Sequence, residues 1–276
     1  MNKNKVLLLG AGLHQIELIK DIQALGFHVT AVDRDQNVPG ALYADDFYAI
    51  DIIDGPKIDE LCNVKKINAI VPVNDVGVKT AAFVCTRSGL KGINQAAAEL
   101  SNNKVLMRQK WSESGLSQPL FRKILCYKDL EDAASDLGYP LVIKPADCGG
   151  GSRGVAKIWS KNELQWAFNN AKKYAFFADE LIVEQYVLGT EITVEGIVCD
   201  QIVHILAVSD KQHFNNHHYC VASSLNYPAD LDDDTLNKIH QLACTAVLAL
   251  GINQSLFHME MIVNSGTPFL LELSAR

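Results

Sequence analysis

A lysine delivered by an apolar run into a glycine-rich loop is suited to gripping phosphate, and residues 139–155 (YPLVIKPADCGGGSRGV) hold that arrangement. Lys144 lies near the end of the apolar stretch, and Gly149, Gly150, Gly151, Ser152 and Gly154 follow it. Glycines lack a Cβ, so successive backbone N–H groups can close around an anion. The Lys144 ammonium adds a point charge suited to phosphate. Taken by itself, the segment reads equally as a surface loop after a buried strand.

The two terminal segments, FHMEMIV (257–263) and FLLELSAR (269–276), hold a pair of acids. Alternate residues of a strand share a face, so His258 and Glu260 point one way and Phe257, Met259 and Met261 the other. By the same rule Leu270, Glu272, Ser274 and Arg276 share a face. Glu260 and Glu272 reach one face of a hairpin only across an odd-numbered loop. Ser265-Gly266-Thr267 is the expected loop, with Asn264 opposite Pro268. Two carboxylates in an apolar sheet cost several kcal/mol unless something compensates them. Mg²⁺ is the natural compensation, a hard cation that takes oxygen ligands together with nucleotide phosphates. Arg276 is then placed to contact a phosphate or a transferring oxygen. If one acid faces solvent instead, there is no metal site.

Other segments are weaker. Residues 181–196 (LIVEQYVLGTEITVEG) run from an apolar strand through Glu184, Gln185, Tyr186 and Val187 to a turn at Gly189 and then Glu191. A chain leaving its sheet exposes backbone groups able to read an adenine edge, and Glu191 is placed to accept from ribose hydroxyls. Alone, the segment is more simply a hairpin with solvated acids. GAGLHQ (10–15), with Asp33 after the next strand, offers two of three dinucleotide-fingerprint glycines but has Gln15 at the third position, so a tight turn is the expectation. Asn74 and Asp75, beyond the fourth strand, are candidate substrate contacts. HFNNHHY (213–219) is dense in histidines but has no matching ligand cluster in the sequence. A substrate-proximal loop or a polar surface is therefore expected there rather than zinc. Lys211, at the start of this loop, is a further phosphate candidate.

These residues must be positioned by alternating elements. Apolar strands at 5–10, 27–33, 47–50 and 69–73 alternate with helices at 14–24, 57–62 and 76–87, the rhythm of a doubly wound parallel sheet. A boundary falls near Ser101–Lys104, before a helix running to Ser114. The second half mixes strands and helices: strands at 120–126, 140–145, 155–159 and 180–184, and helices at 128–137 and 161–173. Strand-rich sequence continues to about 209, then a helix at 234–250 and a closing strand pair. The 276 residues suffice for about two cores.

Composition excludes several classes. A formal charge of −7 with 21% charged residues argues against a nucleic-acid surface. No run approaches the ~20 apolar residues that span a bilayer. MNKNK leads straight into a strand without a signal pattern, so the cytoplasm is expected. Seven scattered cysteines without C-x-x-C read as reduced thiols, with Cys148, beside the glycine loop, as a spacer.

In their order and spacing these segments resemble the ATP-grasp superfamily, with its Rossmann-like pre-ATP-grasp domain in front. They are similar to ATP-grasp proteins related to the carbamoyl-phosphate synthetase large chain, biotin carboxylase and amino-acid ligases. The shared signals are Asn103-Lys104 at a helix start, Lys144 with its glycine loop, Glu184–Val187, Glu191 and the ELSAR ending. The resemblance implies an α/β chain, α+β in its second half. Residues 1–100 would be the Rossmann-like domain and 101–276 a two-lobed ATP-grasp domain, with a small lobe at about 118–186. It implies that Lys104 and Lys144 contact nucleotide phosphates under a 147–154 lid. It also implies that Gln185 and Val187 present backbone to adenine, with Glu184 among the cofactor-binding residues, that Glu191 holds ribose, and that Glu260 and Glu272 hold Mg²⁺, with Mn²⁺ as the alternative ion. The family motif commonly reads E-x-N-x-R; here Ser274 stands where the asparagine ligates metal.

The implied chemistry is ATP-dependent, ADP-forming ligation of a carboxylate to an amine or thiol through an acyl phosphate. Lys144 and Arg276 would be the catalytic cations. Small-molecule carboxylates and amines are the implied partners, and dimers are frequent among the resembling proteins. Family members usually continue past the motif that ends at Arg276, so a C-terminally truncated ATP-grasp domain is the expectation. Two other readings stay open: an inactive, regulatory ATP-binding module or fragment, and an oxidoreductase using the first domain.

Overall fold

A computed structural model describes residues 4–147, 151–175, 179–214 and 216–276. The chain divides into two compact units. The first is Met1–Glu99 with Ile252–Ser255 and Ala275–Arg276, and the second is Leu100–Gly251 with Leu256–Ser274.

In the first unit β1 (Lys5–Leu9), β2 (His28–Asp33), β3 (Asp46–Ala49) and β4 (Ala69–Pro72) are all parallel, in the order β3-β2-β1-β4. The apolar runs of the central β1 and β2 are buried on both faces, as parallel sheets require, while β3 at the edge is half-exposed. Leu7 and Leu9 pack with Ile58, Val84 and Cys85 in one core; Leu8 packs with Ile19, Val29 and Ala31 in another. The covering helices are α1 (Ile16–Ala24), α2 (Gly55–Lys65) and α3 (Asp75–Ser88), and α4 (Gln95–Asn102) follows. Asp54 caps α2 and Asn74 caps α3, each carboxyl or amide oxygen accepting an orphan N–H.

The second unit opens with α5 (Lys104–Glu113), whose cap, Asn103, accepts from Val105 and Leu106. An antiparallel sheet in the order β5-β8-β6-β7 is formed by β5 (Phe121–Ile124), β6 (Leu141–Pro145), β7 (Ala156–Ile158) and β8 (Leu181–Gln185). Its inward residues Leu141, Ile143, Leu181 and Val183 bury fully against α6 (Tyr127–Leu137) and α7 (Leu164–Lys172). Each such side chain contributes about 1.5–3 kcal/mol.

A second sheet, ordered β11-β10-β9-β12-β13, is formed by β9 (Thr190–Cys199), β10 (Ile202–His213), β11 (Ala222–Asn226), β12 (Gln254–Asn264) and β13 (Thr267–Ala275). The helix α8 (Asp233–Ala249) is capped by Asp232, and its Ala246 carbonyl accepts from the Trp111 indole at 3.1 Å.

The α/β expectation holds, with a parallel sheet followed by mixed antiparallel sheets. The helix α4 and the strand β11 were not anticipated. The hairpin loop is corrected: β12 ends at Asn264 and β13 starts at Thr267, leaving Ser265-Gly266 alone as the turn. Their φ values, 48° and 73°, are the left-handed pair of a tight hairpin turn. Regular pairing across two residues would put Glu260 and Glu272 on opposite faces. In β13 Pro268, Leu270, Leu273, Ser274 and Ala275 are buried, while Glu272 is half-buried and pairs with Lys104.

Candidate functional site

Among the described residues of the second unit, Lys104, Arg108 and Lys144 are buried and Lys211 is nearly so, each against carboxylate. Glu184, near the end of β8, is 3% exposed, and both its oxygens are taken: Lys144 Nζ lies 2.5 Å from Oε1 and Arg108 Nη2 2.6 Å from Oε2. Arg108, fully buried on α5, also donates from Nη1 to the Leu270 carbonyl. Burial acts to raise the Glu184 pKa, but Arg108 and Lys144 hold its carboxyl below the ordinary range. Burial pulls Arg108 down despite Glu184 and Glu272.

Lys104, the first residue of α5, pairs with Glu272 Oε1 at 2.8 Å, and its backbone N–H donates to the Ala146 carbonyl. That bond ties the helix start to the end of β6, where Lys144 lies.

On the second sheet Lys211 sits directly across from Glu191 in the β9–β10 ladder. Its ammonium lies 2.6 Å from both Glu191 and Glu260. Burial works against the charge, but Glu260 and Glu191 hold the Lys211 pKa above its ordinary value. Glu260 stands below the carboxylate range because His258 and Lys211 outweigh its burial. His258 bonds Glu195 at 2.6 Å and approaches Glu260 at 3.5 Å; these acids overcome burial and raise it to about 9. His213 bonds the other Glu191 oxygen at 2.8 Å.

Burial pushes the Cys220 thiol above its ordinary value. Ser274 is buried on β13, two residues from Glu272.

Of the glycine loop, Gly149 and Gly150, with Cys148, lie outside the described residues. Gly151 and Ser152 have φ of 77° and 53° and form a turn. Gly154, at φ 75°, has no room for a side chain: a Cβ there would meet Pro145 at 2.9 Å.

The Glu184–Val187 segment is used unevenly. Glu184 spends its carboxylate on Arg108 and Lys144, so it anchors cations rather than facing outward. Gln185 donates its backbone N–H to Leu120 and its side-chain amide to Leu137, and Tyr186 N–H goes to Pro140. No backbone hydrogen bond joins Val187 to the described residues.

Arg276 belongs to the first unit, where its guanidinium pairs with Asp75 and its backbone with Ser255. Asp75 is thereby occupied, and the Asn74 side chain accepts from Gly77 N–H at 3.0 Å. Asp33 accepts from the backbones of Ala11 and Asp35, so GAGLHQ is a tied turn, as expected.

Arg108, Glu195 and His258 were not singled out as site residues from sequence. The one signal available was His258 sharing a strand face with Glu260; a lone arginine on a helix carries none.

Residues 111–275 match the family model described as the D-ala D-ala ligase C-terminus. Across 286 aligned residues the chain is 29% identical to the formate-dependent phosphoribosylglycinamide formyltransferase of a Nitratiruptor species, covering 100% of this chain and 70% of that protein. It is 28% identical over 189 residues to the D-alanine–D-alanine ligase of Cupriavidus taiwanensis, covering 66% of this chain and 57% of that one. The crystal structure of an L-amino acid ligase from Bacillus licheniformis superposes with a TM-score of 0.81 at 23% identity, covering 100% of this chain and 67% of the other. At that identity the likeness is one of fold. No helix among the described residues is long and apolar enough to cross a membrane.

Proposed function

This chain belongs to the ATP-grasp superfamily, and from that premise we propose that it is an ATP-dependent, ADP-forming ligase joining a carboxylate to an amine or thiol. One observation carries the reading. Lys104, Lys144 and Lys211 expose only 9%, 8% and 10% of their side chains, and each is held by carboxylate. Burying an ammonium is costly and breaks even only with close partners. Ammonium groups held this way suit a polyanion that can take the lysines over.

In this reading Lys104 and Lys144 bind the nucleotide phosphates, and Lys211 adds a third cation. The 147–154 loop is proposed as the lid over the phosphates; Cys148, Gly149 and Gly150 in it lie outside the described residues. Glu191 receives the ribose, and Val187 and Gln185 border the adenine, with Glu184 holding Lys144 in place. Glu260 and Glu272 fit a divalent cation: both are oxygen donors already neutralised by ammonium groups, which stand in for metal charge. Ser274 adds a further oxygen. Mg²⁺ supplies charge neutralisation of the phosphates when bound, and Mn²⁺ suits the same donors.

The substrate carboxylate attacks the γ-phosphorus and the β–γ P–O bond breaks, giving an acyl phosphate and ADP. The amine then adds to the acyl carbon, phosphate leaves with the C–O pair, and the amine proton passes to solvent. Lys104 and Lys144 hold the charge that develops. The names of two relatives couple formate or D-alanine to an amine-bearing acceptor, which supports small carboxylates and amines as substrates.

The first 100 residues are read as the pre-ATP-grasp domain and 101–276 as the ATP-grasp domain, its small lobe at about 118–186. A cytoplasmic homodimer is the proposed setting. A second reading, a nucleotide-binding module without turnover, is favoured by the engagement of Arg276 with Asp75.

The test is release of ADP and phosphate from Mg·ATP in mixtures of carboxylates and amines. Some mixture is expected to support turnover, and Glu272→Ala to abolish it with the fold intact. Nucleotide binding with no phosphate release from any mixture would establish the module instead.

A further inference from the structure

The histidine-rich segment after β10 meets a carboxylate that its own sequence does not reveal. Glu163, just before α7, and the consecutive His217 and His218 each offer one ligand atom, and these atoms lie within 4.8 Å of one another. We propose that Glu163, His217 and His218 form a binding site for a transition-metal ion of the zinc class, built from none of the residues assigned to nucleotide.

The cluster is held in shape by its neighbours. Asn216 accepts from the backbones of His218 and Tyr219 at 3.0 and 2.9 Å, bending the chain so that two consecutive imidazoles converge. Their ring centroids are 4.5 Å apart. The Trp159 indole donates to the His217 carbonyl at 2.8 Å and stacks on its ring at 5.5 Å. Trp166 packs on His218 at 4.6 Å, and the His218 carbonyl accepts from Lys157 N–H at 2.8 Å. Glu163 Oε2 accepts from Trp159 N–H at 2.7 Å, which aims Oε1 at His217, 3.8 Å from its Nε2. Such outer contacts orient ligands in metal sites.

Two features point to a ligand rather than to a surface ion pair. The His218 Nδ1 is buried with no hydrogen-bond partner among the described residues. His217, 64% exposed, leaves the cluster open to solvent. Three protein donors plus a water is the composition of an open zinc site. Two imidazoles with one carboxylate select zinc, cobalt, nickel or copper over the hard cations. Ligand atoms around zinc at about 2.0–2.2 Å stand roughly 3.3–3.5 Å apart, so the rings need to close by about 1 Å. A bound ion would fasten the loop between β10 and β11 to Trp159, which also packs on Tyr186 at 5.6 Å.

The test titrates the chelator-treated full chain with Co²⁺ in excess Mg²⁺, so that Mg²⁺ occupies the Glu260 and Glu272 oxygens. One Co²⁺ per chain is expected, with a visible d–d band, no thiolate charge-transfer band, quenching of tryptophan fluorescence and displacement by Zn²⁺. His217→Ala, His218→Ala and Glu163→Gln are each expected to weaken binding at least about tenfold while circular dichroism stays unchanged. Unchanged affinity in the His217→Ala/His218→Ala double variant, or a thiolate band, would overturn the assignment.

Discussion

The two units use polar residues at the ends of their strands in opposite ways. In the first, Asp33 accepts backbone N–H groups, Asn74 caps α3 and Asp75 holds Arg276. Each polar group is spent on fixing the chain. In the second, the ammonium groups of Lys104, Lys144 and Lys211 rest on Glu272, Glu184, Glu191 and Glu260. Caps are short, local and permanent, whereas an ammonium on a flexible stem can exchange a carboxylate for a phosphate. The first pattern reads as architecture and the second as a binding surface held ready.

That contrast can be broken by mutation. The largest effect is expected from Arg108→Ala, which leaves Glu184 buried with Lys144 alone; chemical denaturation should register a loss of about 3–5 kcal/mol. A loss below about 1 kcal/mol would mean that Glu184 does not need this partner. In the first unit Asn74→Ala removes only a cap, so about 1 kcal/mol of stability should go while nucleotide affinity stays unchanged. A drop in affinity would make Asn74 a ligand contact after all.

The smallest effects are with pH, and buried thiols and a buried carboxylate should act with opposite sign. Burial raises Cys62 and Cys85 to about 12 and about 11. Their stabilisation is complete below the ordinary thiol value of 9.0 and is lost as pH rises through the folded values. Glu184 lies below its ordinary 4.5, so its stabilisation is present above that value and is lost as pH falls. Denaturation curves across pH should therefore show an alkaline limb that flattens in Cys62→Ala/Cys85→Ala. An alkaline limb identical in that variant would remove the thiols from the account.

Much of this was legible in the sequence. Apolar runs marked β1, β2 and β6, and alternation along FHMEMIV put Glu260 opposite Met259 and Met261, as the burial shows. The turn between β12 and β13 was misjudged by one residue, since it holds Ser265-Gly266 and not Thr267. A one-residue error in a turn changes the parity of every pairing across it. Arg108 was hidden for another reason: its partners, Glu184 and Leu270, come from strands far along the chain. Arg276 was aligned with the acids by strand parity, yet Asp75 competes for its guanidinium from another element. The Glu163 cluster was hidden likewise, since its carboxylate and its histidines come from separate segments.

The most direct measurement is calorimetric titration with Mg·ADP of the parent chain, of Lys104→Ala, Lys144→Ala and Lys211→Ala, and of Lys238→Ala as a control. Lys238 pairs with Asp234 on the exposed side of α8. Each buried-lysine variant should bind at least about tenfold more weakly, a difference of about 1.4 kcal/mol, and Lys238→Ala should match the parent. Equal affinity in all four variants would contradict the account.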